Sequence, residues 1–326
     1  MTVRRRHLLG ALPATGLLAL FGPAARAQAW PARPIRLIVG YSPGGAVDII
    51  ARAVAQPLSA ALGQPVIVEN KPGAGTNIAN RQLIDSAPDG HTLMLAANAI
   101  AANVSLYQPA PYDLAKDVTP ISQVGRVPVV IAANAQAEPA SLAKLIAMSK
   151  AKPGVVNFAS PGNGSTPHLA VELFARAAGI DLTHVPYKGG SQAINDVLAG
   201  HVQTVAVNAL EVQPHVKSGK LRVLTVLSPQ RTAIFPDTPS IAEAGYPGFE
   251  ASVWYGFIGP AGLPAPVVQR LHAEIQRALA LPEVRDRLIA SGGEVTPGPT
   301  EQFAALLTRE KARYEKLIRE ARIQPD

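Results

Sequence analysis

The sequence predicts an α/β protein with two lobes and a cleft between them. Short β-rich apolar runs alternate with helical patterns along most of the chain, which is typical of parallel sheets covered by helices. The pattern over residues 133–222 forms a complete small α/β unit inside a larger one, so we expect the chain to cross between the lobes twice. Two lobes joined by two strands form a hinge with a ligand cleft between them.

The first residues have the three parts of a signal peptide. Arg4–Arg6 precede an apolar stretch, Leu8–Ala24, which ends in the cleavage pattern Ala25-Arg26-Ala27. We therefore expect residues 1–27 to be removed and the mature protein to lie in the periplasm. The run Arg5–Leu9 also resembles a twin-arginine export signal, but an ordinary signal peptide explains the arginines equally well.

Composition after cleavage excludes two classes of protein. Removing the four arginines of residues 1–27 from the 30 basic residues leaves 26 against 23 acidic ones, a net charge of +3. Scattered basic residues and few aromatics argue against nucleic-acid binding. Cysteine is absent from the sequence, so neither a disulfide nor a lipid anchor is expected.

The first lobe is predicted to comprise residues 28–130 and 228–326. Its strands are expected at Ile35–Val39, Pro65–Glu69, Thr92–Ala96 and Ser252–Ile258. Its helices are expected at Val47–Leu62, Asn77–Ser86, Pro266–Ala280, Pro282–Ala290 and Thr300–Ala321. In the first helix Val47, Ile50, Ala51, Val54, Leu58 and Leu62 share one face.

The second lobe is predicted to comprise residues 131–227. The strand Val127–Ala132 leads into it from the first lobe, and its other strands are expected at Val155–Ala159, Leu182–Val185, Val202–Val207 and Leu221–Leu227. Its helices are expected at Ser141–Lys150, His168–Ala178 and Ser191–Leu198. The crossings between the lobes would then lie near Val127–Ala132 and Leu221–Ser228.

Three glycine-rich turns carry the informative chemistry. Ser42–Gly45, Lys71–Asn77 and Ser160–Thr166 each leave the carboxyl end of a predicted strand and enter the start of a predicted helix. Glycine lets the backbone approach a ligand, and the free N–H groups of a first helical turn attract anions. Turns of this composition are also how α/β units change direction. None of the three is a nucleotide-binding motif, so a carboxylate suits them better than a polyphosphate.

Hydrolysis is the enzymatic alternative. Gly40–Gly44 matches the pattern of a nucleophile elbow around Ser42, but Pro43 lacks the N–H that such an elbow needs for its oxyanion hole. Ser165, His168 and Asp196 form a second candidate set, although Ser165 serves equally well as a helix N-cap. The histidines are isolated in sequence, and we expect no metal site, no cofactor and no catalytic residue.

Two polar residues outside the turns have more than one possible role. Asp48, near the start of the first helix, either stabilises that helix and pairs with Arg52 or contacts a ligand. Asn208 follows a strand of the second lobe and can donate a hydrogen bond without bringing charge. Tyr187 and Lys188 follow another strand and could line the cleft.

The ordered motifs of the chain resemble the solute-binding receptors of tripartite tricarboxylate transporters, the Bug receptor family. The resemblance spans the mature chain. It rests on Trp30-Pro31, Pro34–Val39, Pro43-Gly44-Gly45, Asp48, Ala51-Arg52, Leu62–Val66, Glu69–Gly75, Ala87–Gly90, Pro111–Asp113, His184–Gly189, Gly219–Arg222 and Ala242–Gly245.

This resemblance implies a two-lobe, flytrap-type periplasmic binding fold without catalysis. Its ligands would be di- or tricarboxylates, acidic amino acids or aromatic acids, passed to the permease subunits of the transporter. Delivery to a membrane sensor kinase is the alternative, and nothing in the sequence indicates an oligomer, so a monomer is expected. Carried onto this chain, the ligand-binding residues are Tyr41, Ser42, Gly44, Gly45, Asp48, Ala74, Gly75, Thr76, Gly164, Ser165, Thr166 and His168, to which we add Asn208.

Several positions depart from the family pattern. Ser42 stands where members usually carry proline, Ala79 stands where glycine is common, and Asn208 stands where many carry aspartate. We expect these changes to add hydrogen-bond donors, remove a negative charge and favour a ligand with a second anionic or carbonyl group.

Overall fold

A single mixed sheet runs through the described part of the protein, and helices connect most of its strands. The computed structural model describes residues 30–290, 292–321 and 323–325, and within them ten strands join in one sheet. The signal peptide predicted for residues 1–27 lies outside the described residues.

The elements follow one another in the alternating order expected of an α/β protein. The strands are β1 (Ile35–Val39), β2 (Val66–Asn70), β3 (Thr92–Ala97), β4 (Val118–Asn134), β5 (Asn157–Ser160), β6 (Thr183–Pro186), β7 (Thr204–Asn208), β8 (Leu221–Val226), β9 (Ser252–Pro260) and β10 (Glu294–Val295). The helices are α1 (Ala46–Leu62), α2 (Asn77–Ile84), α3 (Ala99–Leu106), α4 (Leu114–Asp117), α5 (Leu142–Ala151), α6 (Thr166–Ala178), α7 (Gly190–Leu198), α8 (Ala209–Lys217), α9 (Ala265–Ala280), α10 (Pro282–Ala290) and α11 (Thr300–Ala321).

The sheet has two parts, which we call the first and the second lobe. In the first lobe β1 lies between β2 and β3 in parallel, and β3 pairs antiparallel with β9. In the second lobe β5 lies between β6 and β7 in parallel. Because parallel strands present their carboxyl ends at one edge, the turns that follow them are brought together there.

The long strand β4 belongs to both lobes. Its residues Val118–Pro128 pair with β9 of the first lobe, and from Val129 onward it pairs with β7 and β8 of the second. At the junction the Leu227 N–H donates to the carbonyl oxygen of Val129, and the Ala251 N–H donates to that of Leu227. Backbone hydrogen bonds therefore join the chain segments that pass between the lobes.

The helix α1 forms on the face that its sequence predicts. All six residues of the predicted apolar face are buried, and the helix ends where Gly63 adopts a left-handed conformation with φ 67°. The prediction for this helix is confirmed to within one residue at its start.

The sequence analysis missed three helices, the two-residue strand β10 and part of β4. In α3 nearly every residue is buried, so no polar face marks the helical period. The helix α4 is a single turn, and α8 contains Pro214, which normally interrupts a helix. The strand β4 is eleven residues longer than predicted, because Pro120 and Pro128 argue against a strand in the sequence. Its pairing register with β9 shifts near Pro120 and Gln123.

Candidate ligand-binding cleft

The second and third glycine-rich turns meet face to face between the lobes. The second turn passes through a short 3₁₀ segment, Ala74–Thr76, and Gly75 takes φ 59°. A β-carbon on Gly75 would lie 2.8 Å from the carbonyl oxygen of Asn163 in the third turn. Only glycine allows this approach, so the residue type at position 75 follows from the contact between the lobes.

The first turn is hydrogen-bonded to the second lobe. Both the backbone N–H and the hydroxyl of Ser42 donate to the carbonyl oxygen of Lys188, at 2.9 and 3.0 Å. The Ser191 hydroxyl, at the start of α7, donates to the carbonyl oxygen of Pro43 at 2.9 Å. All three turns therefore lie at one interface, with the lobes in contact.

An inner cavity lies between α1 and the second lobe. Its volume of about 20 Å³ is enough for roughly one water molecule. Five of the predicted ligand-binding residues line it: Tyr41, Gly45, Ser165, Thr166 and Asn208. Glu211 and Gly190, which the sequence analysis did not single out, line it as well.

An outer cavity of about 300 Å³ opens between the second and third turns. Three further predicted residues line it, Ala74, Gly75 and Thr76, together with Gly162 and Asn163 of the third turn. Tyr41 and Pro161 border both cavities, so the two are neighbours along one cleft. Lys188 is the one charged side chain on the outer wall, as the sequence analysis suggested.

The other five predicted residues line neither cavity. They are Ser42, Gly44, Asp48, Gly164 and His168. Ser42 is held by Lys188 as described above. Their backbone and side-chain groups instead fix the turns that carry the lining residues.

Asp48 makes the structural contacts that one of its two predicted roles requires. Its buried carboxylate accepts hydrogen bonds from the Gly44 N–H, the Asn70 amide and the Arg52 guanidinium, all at 2.9 to 3.0 Å. Burial alone would raise its pKa, but these three donors hold the pKa below its ordinary value. Asp48 is therefore a charged anchor for the first turn.

His168, which lines neither cavity, is held by contacts within the second lobe. Its Nδ1 accepts the Gly164 N–H at 3.3 Å, and its ring stacks on that of His184 with the centroids 4.1 Å apart. Burial, helped by the nearby His184, lowers the pKa of His168 to about 3. The ring is therefore neutral at physiological pH and brings no positive charge to the cleft.

The hydrolase arrangements are not assembled. Ser165 Oγ accepts the backbone N–H of His168 as an N-cap, and Asp196 accepts the Tyr187 hydroxyl. The Ser42 hydroxyl donates to a backbone carbonyl group rather than to a base. Neither serine is placed as a nucleophile next to a general base.

Glu211 is a cavity-lining residue that the sequence analysis did not single out. It is buried in α8, and its Oε1 accepts the N–H of Ala46 from α1 at 3.0 Å. Its Oε2 accepts the backbone N–H and the side-chain amide of Asn208, both at 3.1 Å. Burial raises the pKa of Glu211, although these hydrogen bonds partly offset the effect. The spacing Asn208-x-x-Glu211 is that of a capping box and was the available signal.

Glu211 also places an acidic group beside Asn208. The sequence analysis expected Asn208 to remove a negative charge from this end, but the side chain bonded to Asn208 is a carboxylate. The inner end of the cleft therefore keeps an acidic group, supplied three residues further along the chain.

Comparisons with known proteins agree with this geometry. Residues 50–323 match the model of the tripartite tricarboxylate transporter family receptor. The protein BugT of Bordetella pertussis is 38% identical over 296 residues, covering 90% of this chain and 91% of its own. The chain belongs to this receptor family.

Solved structures show that the receptor has the two-lobe fold of periplasmic binding proteins. The periplasmic binding protein BugD is 31% identical and superposes with a TM-score of 0.87, covering 91% of this chain and all of BugD. A Rhodopseudomonas palustris protein solved with adipate is 32% identical, with the same TM-score and the same coverage of both chains. In this structure the two lobes are in contact across the cleft.

Two further observations concern membrane-spanning helices and metal ligands. In the described part of the chain, no helix combines the length and apolar character needed to cross a bilayer. The described residues also place no three histidine, aspartate or glutamate side chains where they could share a metal ion.

Proposed function

We propose that this receptor captures a small carboxylate-bearing solute in the periplasm and delivers it to the permease subunits of a tripartite tricarboxylate-type transporter. The observation that carries the proposal is the convergence of three glycine-rich turns, from two lobes, on one cleft. Family membership supports the transport role, and the adipate bound by a relative supports the ligand class. The receptor would act without catalysis and as a monomer.

The ligand carboxylate is proposed to bind at the outer cavity. Backbone groups of Ala74–Thr76 face the third turn there, and Lys188 supplies a positive charge at the rim. Ser165 and Thr166 line the inner cavity from the second lobe. Neutral donors and one mobile cation can hold an anion without a buried ion pair.

The proposal also covers the route of export and the boundaries of the two lobes. The predicted signal peptide, residues 1–27, would bring the receptor to the periplasm by the general or the twin-arginine route. Residues 28–130 with 228–326 would form the first lobe, and residues 131–227 the second. The strand β4, which pairs with strands of both lobes, supports a boundary close to Val129.

A panel of carboxylic acids tests the proposal by thermal shift and calorimetry. A ligand that binds only the folded receptor raises its melting temperature by mass action. In the variant Lys188→Gln the affinity for the best acid should fall by about two- to fivefold, the usual size of an exposed charge contact. Lys144→Gln, which changes an exposed lysine on α5, should leave the affinity unchanged. Carboxylate capture is rejected if no acid of the panel shifts the melting temperature.

A further inference from the structure

A carboxylate of the protein itself occupies the start of α1. The free N–H groups of a helix N-terminus attract an anion, and the Ala46 N–H at this position donates to Glu211 Oε1 at 3.0 Å. Glu211 comes from the second lobe and leaves only 7% of its surface exposed. The place that the sequence analysis gave to a ligand anion is therefore filled from across the cleft.

The surroundings of this carboxylate are shaped to fit it. A β-carbon on Gly190, at the start of α7, would lie 2.1 Å from Glu211 Oε1. A β-carbon on Gly45, in the first turn, would lie 3.3 Å from the same oxygen. Two glycines, one from each lobe, thus leave space for the carboxylate group between them.

The inner end of the cleft offers acceptors that are not fully used. Asn208 Oδ1 is buried and belongs to a cavity-lining residue; it faces the backbone N–H of Glu211 in a capping box but makes no close hydrogen bond there. Its amide nitrogen points to Glu211, so its oxygen remains available to a donor. The other titratable groups facing Glu211 are the hydroxyls of Tyr41 and Tyr255, whose pKa values burial raises, so they stay neutral.

The two ends of the cleft therefore differ in polarity. The outer wall carries Lys188 and backbone turns, whereas the inner wall carries Glu211 and the Asn208 oxygen. A second carboxylate brought to the inner end would bring further acceptor oxygens against the Glu211 carboxyl group and the unpartnered Asn208 oxygen. A hydroxyl, amide or ammonium group would instead find acceptors.

We propose that Glu211 is a specificity-determining residue, which selects a monocarboxylate bearing a hydrogen-bond donor at its far end over an unsubstituted dicarboxylate. The proposal rests on the proposed function and deepens it. The ligand carboxylate lies in the outer cavity, and the donor faces Glu211 and Asn208. This replaces the expectation of a second anionic group on the ligand.

Matched ligands of equal length test the proposal by isothermal titration calorimetry at neutral pH. One series is succinate, γ-hydroxybutyrate and γ-aminobutyrate, and the longer series is adipate, ε-hydroxycaproate and ε-aminocaproate. Wild-type receptor should bind the donor-bearing acids of the better-fitting series at least about tenfold more tightly than the dicarboxylate. In Glu211→Gln that preference should fall by at least about tenfold.

Two further variants distinguish an effect of the Glu211 carboxyl group from a general effect of removing a buried glutamate. Glu211→Ala removes the side chain altogether and should shift the preference in the same direction as Glu211→Gln. Glu274→Gln is the matched control, because Glu274 is equally buried but pairs with Arg270 and Arg277 on α9, away from both cavities. The control should keep the wild-type preference.

The amide NMR resonance of Ala46 gives a readout that needs no ligand. It should titrate with pH in the wild type and not in Glu211→Gln, because the carboxylate is its hydrogen-bond partner. If acids bind but the preference is the same within twofold in Glu211→Gln, the inference is overturned and carboxylate capture stands. If neither series nor any other acid binds while Ala46 titrates, carboxylate capture is overturned and the inference with it.

Discussion

Two buried side chains of the cleft region have pKa values that move in opposite senses. Burial lowers the pKa of His168 to about 3, and burial raises the pKa of Glu211. Each shift favours the neutral form of its group. For the histidine this matters across the acidic range, because an unfolded histidine titrates near pH 6.5.

The unfolding free energy of the receptor should decrease as the pH is lowered, because His168 is held neutral in the folded state. The folded pKa is depressed, so its contribution is present above about pH 6.5 and is lost as pH falls toward about 3. At about pH 5 the loss from this group is about 2 kcal/mol of unfolding free energy. Urea unfolding of wild type and His168→Gln at about pH 8 and about pH 5 measures it as the difference between the two proteins.

The control for this measurement is His201→Gln. The His201 side chain is 70% exposed, so its replacement should leave the pH dependence of the wild type intact. Equal pH dependence in wild type and His168→Gln would show that His168 is protonated in the folded receptor.

Glu211 shows what a residue-scale pattern leaves out. Its local partner Asn208 lies three residues away and could be read from the capping spacing. Its partner Ala46 lies 165 positions away, on the other lobe, and no local periodicity encodes that contact. Asp48 shows the converse, because its pairing with Arg52 in the next turn of α1 was already visible in the sequence.

At the scale of elements, α1 depends on the turn before it. Asp48 ties the turn to the helix through Gly44 and to β2 through Asn70. The exposed pair Arg81–Asp85 on α2 has the same four-residue spacing but lacks these extra bonds. Asp48 is therefore a buried anchor, whereas Asp85 belongs to an exposed ion pair of the same spacing.

Replacing Asp48 by asparagine should cost about 1–3 kcal/mol of unfolding free energy, because buried donors lose their charged acceptor. Asp85→Asn should cost no more than about 0.5 kcal/mol, as exposed ion pairs contribute little. Urea titration of the two variants beside wild type gives both values. Asp48 would not be an anchor if the two losses were equal.

The elements that sequence reasoning recovered are those with one buried and one exposed face. The helix α1 is the clearest case, and the prediction of α11 at Thr300–Ala321 is confirmed in its bounds. The helix α3 lacks an exposed face, and α8 carries an internal proline, so local pattern and tertiary packing disagree there. The missed α8 is the helix that carries Glu211.

At the scale of the whole molecule, the lobes must separate before a group larger than water can reach the inner end of the cleft. The inner cavity holds roughly one water, and the first turn is hydrogen-bonded to Lys188 and Ser191 across the cleft. A solute larger than water therefore reaches Glu211 only after these contacts break.

A disulfide across the cleft should stop binding. A β-carbon on Gly44 would lie 3.7 Å from that of Ser191, within the range that a disulfide requires. The chain contains no other cysteine, so Gly44→Cys with Ser191→Cys can form only this bridge. Oxidised protein should bind no carboxylic acid, and adding a reductant should restore binding.

The reduced double variant is the internal control, since it carries the same strain from the left-handed φ of 79° at Gly44. Ligand binding at equal rates in the oxidised and reduced forms would mean that the solute enters without separation of the lobes.

The strand β4 also limits how the molecule can be divided. Because its two halves complete the sheet in different lobes, a cut at the junction leaves each fragment with an unpaired strand at the edge of its sheet. Such an edge pairs readily with other chains, so the isolated pieces would tend to aggregate. A protein engineer who wants one lobe alone would have to supply the missing half of this strand.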